Sequence, residues 1–143
     1  MSAAPPSSQK PDFSGEWILN RQTSTLSPGA DAVQGGFVRI EHREPAFRCK
    51  GAFVTKSNPF EYEYELLSDG RDVVSSADGV QTVSRLEWEG DALLALWRTQ
   101  RSGGEHKISF RYHLVDAGRC LRVTEHVRGT DHDQDNVWVF ERS

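Results

Sequence analysis

Cysteine is scarce in this chain: two residues, Cys49 and Cys120, in 143. Two cysteines cannot build a disulfide framework and are too few for a cysteine-based zinc site. Both fall in strand-like segments and read as reduced, partly buried thiols, with a single bridge as the alternative. Long apolar runs are also missing, since no stretch approaches the roughly 18 residues of a membrane span. The opening Met1–Lys10, MSAAPPSSQK, lacks the apolar centre of a leader peptide. As it stands the chain reads as cytoplasmic, and a leader already removed would make it exported. Positive charge is in deficit, with 17 Lys and Arg against 21 Asp and Glu for a formal net charge of −4. Nucleic acid is therefore not an expected partner, because phosphate contacts need a concentrated basic surface. No Gly-rich loop joins a strand to a helix, and no Gly-x-Ser-x-Gly elbow occurs, which removes the support for a nucleotide cradle or a serine hydrolase. No segment carries a 3.6-residue apolar stripe.

What is present is alternation. With 36% hydrophobic and 27% charged residues the composition is that of one globular domain. A domain of this length buries roughly two-thirds of its unfolded surface and needs no metal or disulfide to fold. Residues 1–11, rich in Pro, Ser and Ala, read as a disordered tail, and 12–143 as the domain. Period-two patterning predicts strands at Phe13–Asn20, Phe37–Arg43, Ala46–Thr55, Phe60–Leu67, Arg71–Ser75, Val80–Glu89, Ala92–Arg101, Glu105–Val115, Cys120–Arg128 and Asn136–Arg142. Between the later ones stand Asp69-Gly70, Asp78-Gly79, Gly90-Asp91, Gly103-Gly104 and Gly118, residues that accept the positive φ of tight hairpins. Short connections make the strands an antiparallel meander. Open edges on so many strands are costly, so the expected architecture is all-β: a closed antiparallel up-and-down β-barrel of eight to ten strands. The one long connection, Arg21 to Gly36, is expected to cross a mouth of the barrel as a loop or a single helical turn.

Gly15-Glu16-Trp17 opens the first strand and Phe140-Glu141-Arg142 ends the last. This arrangement resembles the calycin superfamily, the lipocalin-like and fatty-acid-binding-type barrels. There a Gly-x-Trp packs at the closed end near a basic residue of the final strand. The run Phe13–Asn20 is similar to the opening of small bacterial lipocalin-like proteins. The resemblance gives Trp17 and Arg142 structural roles and implies a ligand pocket. It also has departures. Residues 21–36 are too short for the helix pair of fatty-acid-binding proteins. Trp138 and Phe140 stand where those proteins carry the Arg-x-Tyr pair that grips a carboxylate. Leu19 breaks the longer Gly-x-Trp-x-Gly opening of nitrobindin-type haem barrels.

Alternation also sorts side chains by face. The expected inward set is Phe60, Tyr62, Tyr64 and Leu66; Leu86 and Trp88; Leu94 and Leu96 with Arg98; Ile108, Phe110, Tyr112 and Leu114; and Leu121, Val123 and Val127 with Glu125. From these, Tyr62, Tyr64, Trp88, Phe110 and Tyr112 are the candidate walls of a cavity, with Trp138 on a face the pattern leaves unassigned. Arg98 and Glu125, charges on otherwise apolar faces, are candidates to orient the polar end of a ligand. The expected function is binding of a small hydrophobic or amphipathic molecule by a monomer or homodimer. The alternative is an enzyme in which Glu125 acts as a base and Tyr112 as a donor for proton abstraction, isomerisation or cyclisation. No cofactor is expected, haem being an alternative that would use a mouth histidine such as His106. His42, His106, His113, His126 and His132 are scattered and suggest no metal site. Asp131–Asn136 starts like a calcium loop but has Asn136 where Gly is needed and Arg142 where the closing Glu belongs, and reads as a solvated turn.

Overall fold

A computed structural model describes residues 10–101, 104–129 and 133–143. Ten antiparallel strands make up almost all of it: β1 (Gly15–Leu19), β2 (Val33–Arg43), β3 (Ala46–Thr55), β4 (Pro59–Leu67), β5 (Val73–Ala77), β6 (Val80–Glu89), β7 (Ala92–Arg101), β8 (Gly104–Val115), β9 (Cys120–Arg128) and β10 (Gln134–Arg142). Single helical turns occupy Ala30–Ala32 and Asp116–Gly118. Among the described residues no helix is long and apolar enough to cross a membrane. The strands expected from alternation are all present. Asp78 and Gly79 both take positive φ (54° and 76°), the primed turn that matches the twist of the flanking strands β5 and β6. Several strand ends differ from expectation: β1 is Gly15–Leu19 within the expected Phe13–Asn20, β10 begins two residues early at Gln134, and β2 and β5 also shift. β2 begins at Val33 rather than Phe37, because Gly35 and Gly36 hide its start. A side chain on Gly36 would come within 2.5 Å of the Ala52 carbonyl, so glycine is what lets β2 lie against β3 there. β5 runs two residues later, because Gly70 donates its N–H to the Leu86 carbonyl (3.0 Å) and prolongs the turn.

The sheet order is β4-β3-β2-β1-β10-β9-β8-β7-β6-β5, an up-and-down meander in which β1 pairs with β10. The expected closed barrel is not what the backbone ladder forms: β4 and β5 are its two edges. The sheet curls until side chains bridge the gap, with Tyr64 of β4 edge-on to Trp97 of β7 at 4.8 Å between ring centroids. Every residue of β5 is exposed, and at five residues this edge is short enough to offer little to an aggregating neighbour.

The core runs in layers from a sealed end to a mouth. At the sealed end Phe13, Trp17, Phe47, Leu86 and Leu93 are fully buried. Arg142 lies over the Trp17 ring, 4.2 Å from its centroid, and donates to the carbonyls of Ser14 (3.0 Å) and Gly118 (3.1 Å). Gly15 leaves room for that guanidinium, since a Cβ there would stand 2.7 Å from it. Trp17 and Arg142 thus form one plug. Lys10, expected in the tail, donates to the Gly90 carbonyl (3.0 Å) and sits over Trp88.

Candidate functional site

Above this plug the interior opens into a cavity of about 180 Å³. A polar cluster lies at its base. Tyr112, on β8, is buried and shares a 2.6 Å hydrogen bond with the hydroxyl of Tyr64, on β4, while Cys49 Sγ on β3 lies 3.9 Å from the Tyr112 hydroxyl. Burial holds the phenols of Tyr64 and Tyr112 well above their ordinary pKa, with the neighbouring Cys49 adding to the effect. The same burial pushes the Cys49 thiol up to about 11. All three are neutral near pH 7, so this cluster supplies no nucleophile.

The walls are aromatic. Phe53 of β3, Phe60 and Tyr62 of β4, Phe110 of β8, and Trp138 and Phe140 of β10 line the space, completed by Val38 and Val123. Phe53 stacks with Tyr62 at 6.1 Å and meets Trp138 at 5.8 Å. Tyr62 closes against Gly51, where any side chain would strike the tyrosine ring. The cavity shares Tyr62 and Phe110 with a depression lined by Tyr64, Trp97 and Ile108, so its wall is also reached through the gap beside β4.

Toward the mouth stands Glu125 of β9. Its Oε1 accepts from the Nδ2–H of Asn136 and the indole N–H of Trp138, each at 3.0 Å. Asn136 is 1% exposed, and its own carbonyl oxygen accepts from the Ser27 N–H (2.7 Å) and hydroxyl (2.9 Å). Ser27 belongs to the connection between β1 and β2. That connection runs beside β10, where Thr25 pairs with Val137, and Arg21 ties its far end by donating to the carbonyls of Val33 (2.7 Å) and Asp31 (3.1 Å). This loop, β10 and β9 are therefore coupled through Asn136 to one carboxylate.

The site residues expected from the sequence divide. Tyr62, Phe110, Tyr112 and Glu125 line the cavity, while Tyr64 stands behind it, bonded to the Tyr112 hydroxyl, and lines the neighbouring depression. Trp88 faces inward but at the sealed end, where its indole N–H donates to Glu44 (2.9 Å) and its ring lies against Phe13 and His42. Arg98 is corrected. It stands on the outer face of β7, within 3.9 Å of Asp72. The inward residues of β7 are Leu93, Ala95 and Trp97, paired with Tyr112, Phe110 and Ile108, while Leu94 and Leu96 share the outer face with Arg98. Apolar residues occupy both faces of β7, so alternation there carried no parity. Asn136, Phe53 and Ser27 were missed. Phe53 could have been found from the run Phe47, Cys49, Gly51, Phe53 on one face of β3; the other two are polar residues whose partners lie far away in the chain.

The histidines do not converge. His42 is buried at the sealed end between the Phe13 N–H and Glu44, His113 and His126 face out, and His132 lies outside the described residues, as do Asp131 and Gly103. His106 faces inward at the rim, paired with Thr99, and its Nε2 has no hydrogen-bond partner among the described residues. Among the described residues no group of three His, Cys, Asp or Glu side chains is placed to hold a metal ion.

No protein-family model and no curated protein matches the sequence. Solved structures do match in fold. Human cRBP IV superposes with a TM-score of 0.60 at 15% identity, over 93% of this chain and 99% of that one. Secretory abundant heat soluble protein 4 from Ramazzottius varieornatus gives 0.54 at 14% identity, over 92% and 94%. A variant of the fatty acid transporter REP1-NXSQ gives 0.51 at 15%, over 92% and 98%. The fold is that of the calycins. In this chain the Gly15-x-Trp17 strand and Arg142 mark the sealed end, and the cavity lies above it. The two positions that carry Arg-x-Tyr in fatty-acid-binding calycins, Trp138 and Phe140, are here part of the aromatic wall.

Proposed function

We propose that this protein binds a small, largely apolar molecule in the cavity above the Tyr64–Tyr112 pair. The observation that carries this reading is the enclosure of about 180 Å³ walled mainly by aromatic rings and held open above a packed plug. A dry apolar cavity of roughly 150 Å³ already accommodates benzene, whereas drug-sized ligands occupy roughly 300–1,000 Å³. The size supports a ligand of one or two rings or a short chain, and it weighs against a porphyrin. The matched fatty acid transporter supports apolar cargo as a use of this fold. The catalytic alternative uses Glu125 and Tyr112 on the same wall and requires a turnover that Glu125→Gln abolishes.

Naphthalene tests the proposal. It should raise the melting temperature of the wild type, as any ligand that binds the folded state alone must. Val123→Phe, which fills the cavity from β9, should weaken naphthalene binding at least tenfold, and Trp88→Phe should leave it unchanged. Equal binding to wild type and Val123→Phe would sink the cavity assignment.

A further inference from the structure

The charge inside the cavity has one sign. Among the described residues that line it, Glu125 alone is charged, and no Lys, Arg or His joins it. Arg98 and Lys107 lie opposite each other on the outer side of β7 and β8, and Arg111 faces out to Glu89 at 2.9 Å. Among the described residues, the basic side chain that faces inward on β8, His106, is at the rim beyond the lining residues.

Glu125 is held but not neutralised. Asn136 and Trp138 both donate to Oε1, and Asn136 cannot turn away because Ser27 fixes its other end. Among the described residues no cation pairs with this carboxylate and Oε2 has no protein donor, though each carboxylate oxygen can accept about two hydrogen bonds. A partly buried charge in that condition is satisfied by water or by a cation brought from outside. The rings of Phe53, Tyr62, Phe110 and Trp138 line the same cavity. Aromatic faces attract cations and repel anions, most strongly where water is excluded.

Resting on the ligand-binding reading above, we propose that the cavity selects a small aromatic or alkyl ammonium ion, whose N–H groups meet Glu125 Oε2, and that it rejects carboxylates. The cargo is an organic amine and not a fatty acid. The inward-facing arginine expected from the sequence would have favoured the opposite choice, and its place on the outer face leaves the carboxylate unopposed.

Three molecules of one skeleton test this by calorimetry near neutral pH: para-ethylbenzylamine, para-ethyltoluene and para-ethylbenzoate. The amine should bind at least tenfold more tightly than the hydrocarbon, and the benzoate at least tenfold more weakly than the amine. Glu125→Gln keeps the size of the side chain and should bring the amine to within about threefold of the hydrocarbon, leaving hydrocarbon binding as in the wild type. If the hydrocarbon binds and the amine gains nothing over it, or if Glu125→Gln preserves the amine's advantage, the selectivity is overturned while the cavity reading stands. If the benzoate binds as well as the amine, the selectivity is likewise overturned. If none of the three binds, the cavity reading falls and the selectivity with it.

Discussion

Raising the pH from about 8 to about 10 should destabilise this protein through Cys49. The thiol is fully buried beside the Tyr112 hydroxyl, and burial moves its pKa from an ordinary 9.0 to about 11. The charged form is the thiolate, so the folded chain retains a proton that the unfolded chain releases between those values. Stability then falls as pH rises through that window, because the folded state binds more protons. The loss is about 1.3 kcal/mol between pH 8 and pH 10, and roughly 2.7 kcal/mol once both states are ionised, each tenfold difference in proton affinity being worth about 1.36 kcal/mol. Tyr64 and Tyr112, whose phenols are raised by the same burial, add losses of the same sign above their ordinary range. Urea midpoints measured across this range for the wild type and Cys49→Val isolate the thiol, since valine is of similar size and does not titrate. The wild type should lose about 1 kcal/mol more than Cys49→Val over the interval. Parallel loss in the two proteins would overturn this account and mean that water reaches Cys49.

The two hairpin glycines Gly79 and Gly129 both have positive φ, at 76° and 83°. Gly79→Ala meets nothing within 4 Å and should cost about 1–2 kcal/mol of left-handed strain, whereas Gly129→Ala would drive its Cβ into the Glu105 carbonyl and should cost at least about 2 kcal/mol more by thermal or urea unfolding. Trp88→Phe should lower stability by about 2 kcal/mol through the lost hydrogen bond to the Glu44 carboxylate, with amine and hydrocarbon binding unchanged; a loss of binding would return Trp88 to the ligand site.

Much of the fold was legible because its signals are local. Period-two alternation marked all ten strands, Asp78-Gly79 marked a primed turn, and Gly15-x-Trp17 with Arg142 marked the sealed end. Parity was legible wherever one face of a strand is polar: Phe110 and Tyr112 were assigned against Lys107, Ser109 and Arg111, and Glu125 with Val123 against Arg122 and His126. On β7, Leu93, Ala95 and Trp97 compete with Leu94 and Leu96, and no local rule separates two apolar faces. Only the pairing of Leu93 with Tyr112 across the sheet settled which face turns in, and so sent Arg98 outside.

Residues close together in the chain therefore set the number and order of strands, the turns between them and the plug at one end. Three properties waited for the folded chain: the ladder stops at β4 and β5, Asn136 joins Ser27 to Glu125, and the cavity's described lining is mainly aromatic with Glu125 as its one charged residue. They arise where separate strands and the loop carrying Ser27 bring their side chains together, and a partly buried carboxylate is defined by its neighbours more than by its own position in the chain.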